Sequence, residues 1–190
     1  MVRKRRLAIL VSGMPGSGKT VFADVAKKMN IHVVSMGDAV RLEAIRRRVS
    51  INSDSLSQLA VELRRENGPT AVAELTMKLV QSSHTESVVI EGVRSLEEVN
   101  FFKDFFDEVV AVAIHSSPKT RFSRVMARRR EDDPVEWGKF VERDYRELEL
   151  GIGAVIALSD YVLVNEDIKK EEFETICGNL LNKLLNLIHE

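Results

Sequence analysis

Five short runs rich in apolar and β-branched residues punctuate the chain, at Leu7 to Ser12, His32 to Met36, Ser87 to Glu91, Val109 to His115 and Tyr161 to Val164. Runs this brief, apolar on both faces, are expected as buried parallel strands. Between them apolar positions recur at helical spacing. Val21, Phe22, Val25, Ala26 and Met29 keep one face after the first run. A last helix, from about Lys170 to His189, aligns Phe173, Ile176, Cys177, Leu180, Leu181, Leu184, Leu185 and Ile188. That stripe is expected to pack into the core, because it is too short for the sustained heptads of a coiled seam. Strand and helix in alternation predict a doubly wound α/β domain.

Between the first strand and the first helix stands Gly13-Met14-Pro15-Gly16-Ser17-Gly18-Lys19-Thr20, which fits the P-loop pattern GxxxxGK[ST]. Glycines let main-chain amides curl around a polyphosphate at a helix N-terminus whose partial positive charge favours anions. Lys19 is placed to reach the β/γ-phosphates, and the Thr20 hydroxyl to face a Mg²⁺ bridging them. The expected fold narrows to a P-loop NTPase, a three-layer α/β/α domain on a five-stranded parallel sheet.

Length and charge set limits on the rest. With 190 residues, 44% of them hydrophobic, the chain suits one compact domain over residues 1–190. The 28 basic and 29 acidic side chains nearly cancel, so no global field recommends a nucleic acid or membrane as partner. No apolar run reaches the roughly 18 residues of a membrane span. Cys177 has no second cysteine to pair with and is expected as an inert buried thiol, which fits a cytoplasmic protein. The basic start, Met1 to Arg6, is expected as a solvated tail, with contact to RNA as the alternative.

In open α/β sheets ligands lie beyond the carboxyl ends of the strands, so the residues that follow each strand form a site map. After the second strand come Gly37, Asp38 and Arg41; after the third, Glu91, Gly92 and Arg94; after the fifth, Asn165. Arginine offers a planar fork of charge-assisted donors and keeps its proton, so Arg41 and Arg94 together suit a second phosphate. Surface ion pairs with Glu43 or Glu97 are the alternative for each. Glu91 closes an apolar strand where a carboxylate would hold metal-bound water, with a capping or solvent-facing role as its alternative. Ser117-Pro118 reads as an N-cap and first helical position, followed by Arg121, Arg124 and Arg128 on one face. A charge-dense junction, about 129–137, suits a short lid before a helix capped by Asp133 with Glu136, along which Lys139, Arg143 and Arg146 align. Glu98 is expected as an exposed helix residue.

These segments resemble the adenylate kinase group of nucleoside monophosphate kinases, and most closely an archaeal family of adenylate-kinase-related P-loop proteins. Ser35 to Ala44 is similar to that group's stretch after strand two, and Glu91-Gly92-Val93-Arg94 to its Asp-Gly-x-Pro-Arg. Arg124-Val125-Met126-Ala127-Arg128 resembles the segment entering its lid, and Asp160 to Asn165 its adenine-side strand and loop, shared with dephospho-coenzyme A kinases. Glutamate stands for aspartate at position 91 and valine for proline at 93, the long lid insertion is absent, and Arg143 falls two residues late. The resemblance implies an ATP·Mg²⁺ donor held by the P-loop, Arg124 and Asn165. It further implies an acceptor phosphate gripped by Arg41 and Arg94 within a mobile segment of about 37–84, and Arg128 and Arg143 closing over the migrating group. The expected partners are a nucleotide donor and a phosphorylated small-molecule acceptor. A regulatory or assembly ATPase acting on RNA or protein is the competing expectation, as is a dephospho-coenzyme A kinase-like enzyme.

Overall fold

The computed structural model describes residues 5–81, 85–128 and 135–188. The strands are β1 (Leu7–Ser12), β2 (His32–Ser35), β3 (Ser87–Glu91), β4 (Glu108–His115) and β5 (Tyr161–Val164). They form one parallel sheet in the order β2-β3-β1-β4-β5. Central β1 is buried on both faces, which its unbroken apolar run requires. Ala8 and Leu10 pack on one side with α2 (Met36–Arg47), α3 (Ser53–Asn67), α4 (Ala71–Gln81) and α5 (Leu96–Lys103). Leu7, Ile9 and Val11 pack on the other with α1 (Lys19–Lys28) and α9 (Lys170–Leu185). Truncating Ile9 or Leu10 to alanine removes about 2–5 kcal/mol of stability at such a site. The remaining helices are α6 (Pro118–Arg128), α7 (Trp137–Glu149) and α8 (Ile152–Ala157).

Strand register brings the chemistry to one edge. Ser35 pairs with Glu91, Glu91 with Val11, and Ser12 with Ala113, so β2, β3 and β1 end within a residue of one another while β4 runs on to His115. The P-loop leaves β1 between diverging neighbours, the position at which this architecture binds ligands.

Several expectations change. The second strand ends at Ser35, and Gly37 to Arg41 form the first turns of α2 in place of a loop. Met36 is fully buried and anchors that turn, while Asp38 in it complements the helix dipole. The segment 37–81 folds as three helices, with Gly68 ending α3 in the break at Asn67-Gly68-Pro69. β5 is an edge strand whose Val162 and Val164 are 53% and 58% exposed, not a buried one, because it has a neighbour only in β4. In α9 the buried stripe is Phe173, Cys177, Leu180, Leu181 and Leu184, while Ile176 faces outward and a 3-10 turn, Asn186–Ile188, follows. Burial pushes the Cys177 thiol up to about 12, as suits an inert core cysteine. Arg5 and Arg6 are no solvated tail: the Arg6 amide donates to Asp107, its guanidinium covers Phe106 at 4.8 Å, and Arg5 pairs with Glu108. Residues 1–4 lie outside the described residues.

Candidate active site

The P-loop closes into a cradle that only glycine permits at its corners. Gly13 and Gly18 adopt φ of 146° and 114°, and a Cβ there would meet the Ile114 carbonyl at 2.4 Å and the Asn165 amide nitrogen at 2.3 Å. The loop is clamped from behind. Asn165 Nδ2 donates to the Ser17 carbonyl at 2.9 Å, and Ser116 Oγ approaches the Ser17 and Asn165 carbonyls at 3.1 and 2.6 Å. Arg121 donates to the Pro15 carbonyl at 3.1 Å and forks onto Asp144 at 2.8 and 2.6 Å. Sequence placed Arg121 on a cationic face with Arg124 and Arg128; it is instead 3% exposed, a brace between α7 and the loop. Ser17 Oγ is buried without a hydrogen-bond partner among the described residues, inside a loop built to receive an anion.

Behind the loop, Arg124 donates to Ser116 Oγ at 2.9 Å and to the Asn165 backbone and side-chain oxygens at 3.0 and 3.1 Å. Asn165 is therefore seated beneath the P-loop, while Arg124 also reaches the crevice in front of it. Glu166 accepts from Ser117 Oγ and N–H and from Thr120 Oγ1, which hold its carboxyl down at about 2 and pin the start of α6. Ser117 caps α6 as its spacing predicted, accepting from the Thr120 amide at 3.3 Å.

A crevice of about 420 Å³ opens over the loop. Gly13, Pro15, Gly16, Gly18, Lys19 and Thr20 of the P-loop line it together with Ser35, Gly37, Arg41, Glu91, Gly92 and Arg94. Arg124, Arg128, Arg143 and Glu147 complete it, so six cationic side chains meet two carboxylates. Such a surplus suits a polyphosphate beside a second anion. Of the remaining expected residues, Met14 turns its carbonyl to Lys19, and Asp38 stands behind Arg41. Lys19 Nζ donates to the Gly13 and Met14 carbonyls at 2.5 and 3.3 Å. Burial lowers its pKa to about 8 although Glu91 and Glu147 oppose that shift.

Both arginines of the expected acceptor grip reach the crevice, with partners other than Glu43 and Glu97. Arg41 pairs with Asp38 at 2.7 Å in solvent. Arg94 Nε donates to Glu147 Oε2 at 2.6 Å and its NH1 to the Gly92 carbonyl at 2.9 Å. Burial pushes the Glu147 carboxyl up, but the charges of Arg94, Lys19 and Arg143 outweigh it and hold it below the usual carboxylate range. Glu43 is buried and accepts from both Arg46 and Arg47. Glu98 is fully buried, not an exposed helix residue: it accepts from Arg64 at 2.5 Å and from the Arg94 amide at 2.8 Å, tying α3 to Arg94.

Helix α7 supplies what sequence reading missed. Asp144 and Glu147 flank Arg143, and the spacing from buried Phe140 through Arg143 and Asp144 to Glu147 is the helical signal that marks them as one face. Only Arg143 of the aligned cations lines the crevice; Lys139 pairs with Glu142, and Arg146 lies 3.6 Å from Asp54. Glu136 is the N-cap of α7, while Asp133 and lid residues 129–134 lie outside the described residues. Trp137, half-exposed, packs edge-on to Phe122 at 5.3 Å and against Phe140. Among the described residues no group of three His, Cys, Asp or Glu side chains forms a protein metal cage. Thr20 and Glu91, which line the same crevice, are a fitting donor set for a Mg²⁺ held mainly by phosphates and water. No helix of the described residues is long and apolar enough to cross a membrane.

Residues 12–138 match the model of the AAA domain family. A UPF0200 protein of Hyperthermus butylicus is 49% identical over 179 residues, covering 94% of this chain and 95% of that one. The chain belongs to the UPF0200 family. Another UPF0200 member, from Methanocaldococcus jannaschii, is 44% identical over 186 residues, covering 97% and 90% of the two chains. The fold of this UPF0200 chain is shared with the shikimate kinase of Bacteroides thetaiotaomicron, at a TM-score of 0.59 and 16% identity over 93% of this chain and 98% of that one. A gluconokinase from Sinorhizobium meliloti gives 0.54 and 17% over 98% and 96%. What these chains share is the fold, a five-stranded parallel sheet between layers of helices.

Proposed function

We propose that the protein transfers the γ-phosphoryl group of ATP to the phosphate of a nucleotide-like monophosphate acceptor. One observation supports this reading: the P-loop cradle and the Arg41–Arg94 pair line a single crevice. The amides of residues 13–20 and Lys19 bind the donor phosphates at the head of α1. Thr20 and Glu91 would hold Mg²⁺, whose charge would offset that of the β/γ-phosphates. Arg41, on the first turns of α2, and Arg94, after β3, orient the acceptor for in-line attack. Arg128 and Arg143 stabilise the charge that builds on the migrating group, which needs no covalent intermediate on the protein. Positioning is the main contribution of the fold, because Arg121 and Asn165 leave the loop little freedom to drift.

A coupled assay with ATP·Mg²⁺ against each nucleoside monophosphate and dephospho-coenzyme A tests the reading. Acceptor-dependent product above background hydrolysis is the expected result. Hydrolysis indifferent to every acceptor would replace transfer with an ATPase that acts on RNA or a protein partner.

A further inference from the structure

The two acceptor arginines enter the crevice in different electrostatic states. Arg41 carries Asp38, whose side chain is 62% exposed, and a solvated pair of this kind weakens the cation little. Arg94 carries Glu147, whose side chain is 15% exposed and which lines the same crevice as Lys19 and Arg143. In so enclosed a place neither partner gives up the other cheaply. We propose that Glu147 is a specificity-determining residue that reserves Arg94 for a dianionic phosphate monoester and turns away carboxylate acceptors.

This rests on the acceptor reading given above. An incoming carboxylate offers Arg94 only the kind of contact that Glu147 already makes, and Glu147 makes it as a tethered group at high effective concentration. The newcomer therefore adds like-charge repulsion without a new class of bond. A phosphate monoester brings nearly two charges at neutral pH and three acceptor oxygens. It can engage the remaining N–H groups of Arg94 together with Arg41 and the amides at the head of α2, and these contacts, which Glu147 does not fill, offset the repulsion. Discrimination then comes from an element that weakens both ligands but leaves only the carboxylate without a contact of its own. Because its neighbours keep Glu147 ionised, it accepts hydrogen bonds only and cannot turn donor toward a carboxylate.

Methyl phosphate and acetate are the minimal dianion and monoanion probes, with the P-loop first saturated by a non-hydrolysable ATP analogue and Mg²⁺. Binding is read from NMR line broadening of each probe. The wild-type chain should bind methyl phosphate, and acetate should not compete. Glu147→Gln keeps the shape and removes the charge, so methyl phosphate should bind about tenfold tighter and acetate should become a competitor. Unchanged or weaker phosphate binding in a folded Glu147→Gln protein overturns the filter. Acetate competing in the wild type overturns it without any variant. Arg94→Ala separates the two ideas: if it leaves methyl phosphate binding intact, the acceptor site itself fails and the filter with it, whereas loss there with no response in Glu147→Gln removes the filter alone.

Discussion

On the donor wall of the crevice the anion-facing groups are main-chain amides, braced from behind by Arg121, Asn165 and Ser116. On the acceptor wall they are guanidinium tips, each already bearing a carboxylate of its own chain. A backbone cradle is specific for phosphate geometry and indifferent to the rest of the ligand, since its donors do not move. A side-chain grip can be retuned by one substitution in a neighbour. The proposed donor half is thus fixed by fold, and the proposed acceptor half by a few exchangeable ion pairs.

The largest effect is expected where the donor wall is braced. Asp144→Ala strips the buried Arg121 fork of its partner and should cost about 3–5 kcal/mol, read from urea unfolding. Asp144→Asn, which keeps one acceptor oxygen, should cost less. Next comes Lys19→Ala, for which a loss of about 10²–10³-fold in kcat/KM for transfer is expected. A variant that retains wild-type turnover would remove the lysine from the chemistry. On the acceptor wall, Arg94→Ala should raise acceptor KM by about 10–100-fold while ATP affinity stays within about twofold. Arg41→Ala should do the same more weakly, since its partner and tip are solvated. Equal loss of ATP affinity in both would erase the distinction between the walls.

The smallest effect is a proton. Lys19 has a pKa of about 8 in the ligand-free chain, below the ordinary 10.5 because burial disfavours its charge. The polyphosphate favours the charged form, so binding raises that pKa and takes up protons between about pH 8 and 10. ATP affinity should accordingly fall as pH rises through 8, where a solvated lysine would still be charged. Calorimetry in buffers of different ionisation enthalpy measures the uptake, and no buffer dependence at pH 8.5 would contradict it.

How much of this was legible in the sequence differs by wall. The P-loop was readable because its chemistry is local: eight consecutive residues specify the turn, the amides and the lysine. The five strands were readable as well, since burial on both faces leaves an unbroken apolar run, although β5 shows that a short run at a sheet edge gives the same signal while half open to water. Arg41 and Arg94 followed from strand ends. Glu147, Asp144 and Glu98 did not, for their roles depend on partners 53, 23 and 34 residues away in sequence. Arg121 misled for a related reason: on a helical wheel a brace and a ligand-facing cation look alike until the carboxylate opposite is known.

Trp137 is the one indole in the chain, set at the head of the helix that carries Arg143, Asp144 and Glu147, and resting edge-on against Phe122. Half of it meets solvent, so any rolling of α7 changes both its hydration and its aromatic neighbour. The molecule thereby contains its own fluorophore, and stopped-flow emission can time the proposed approach of Arg143 to the nucleotide with no dye attached.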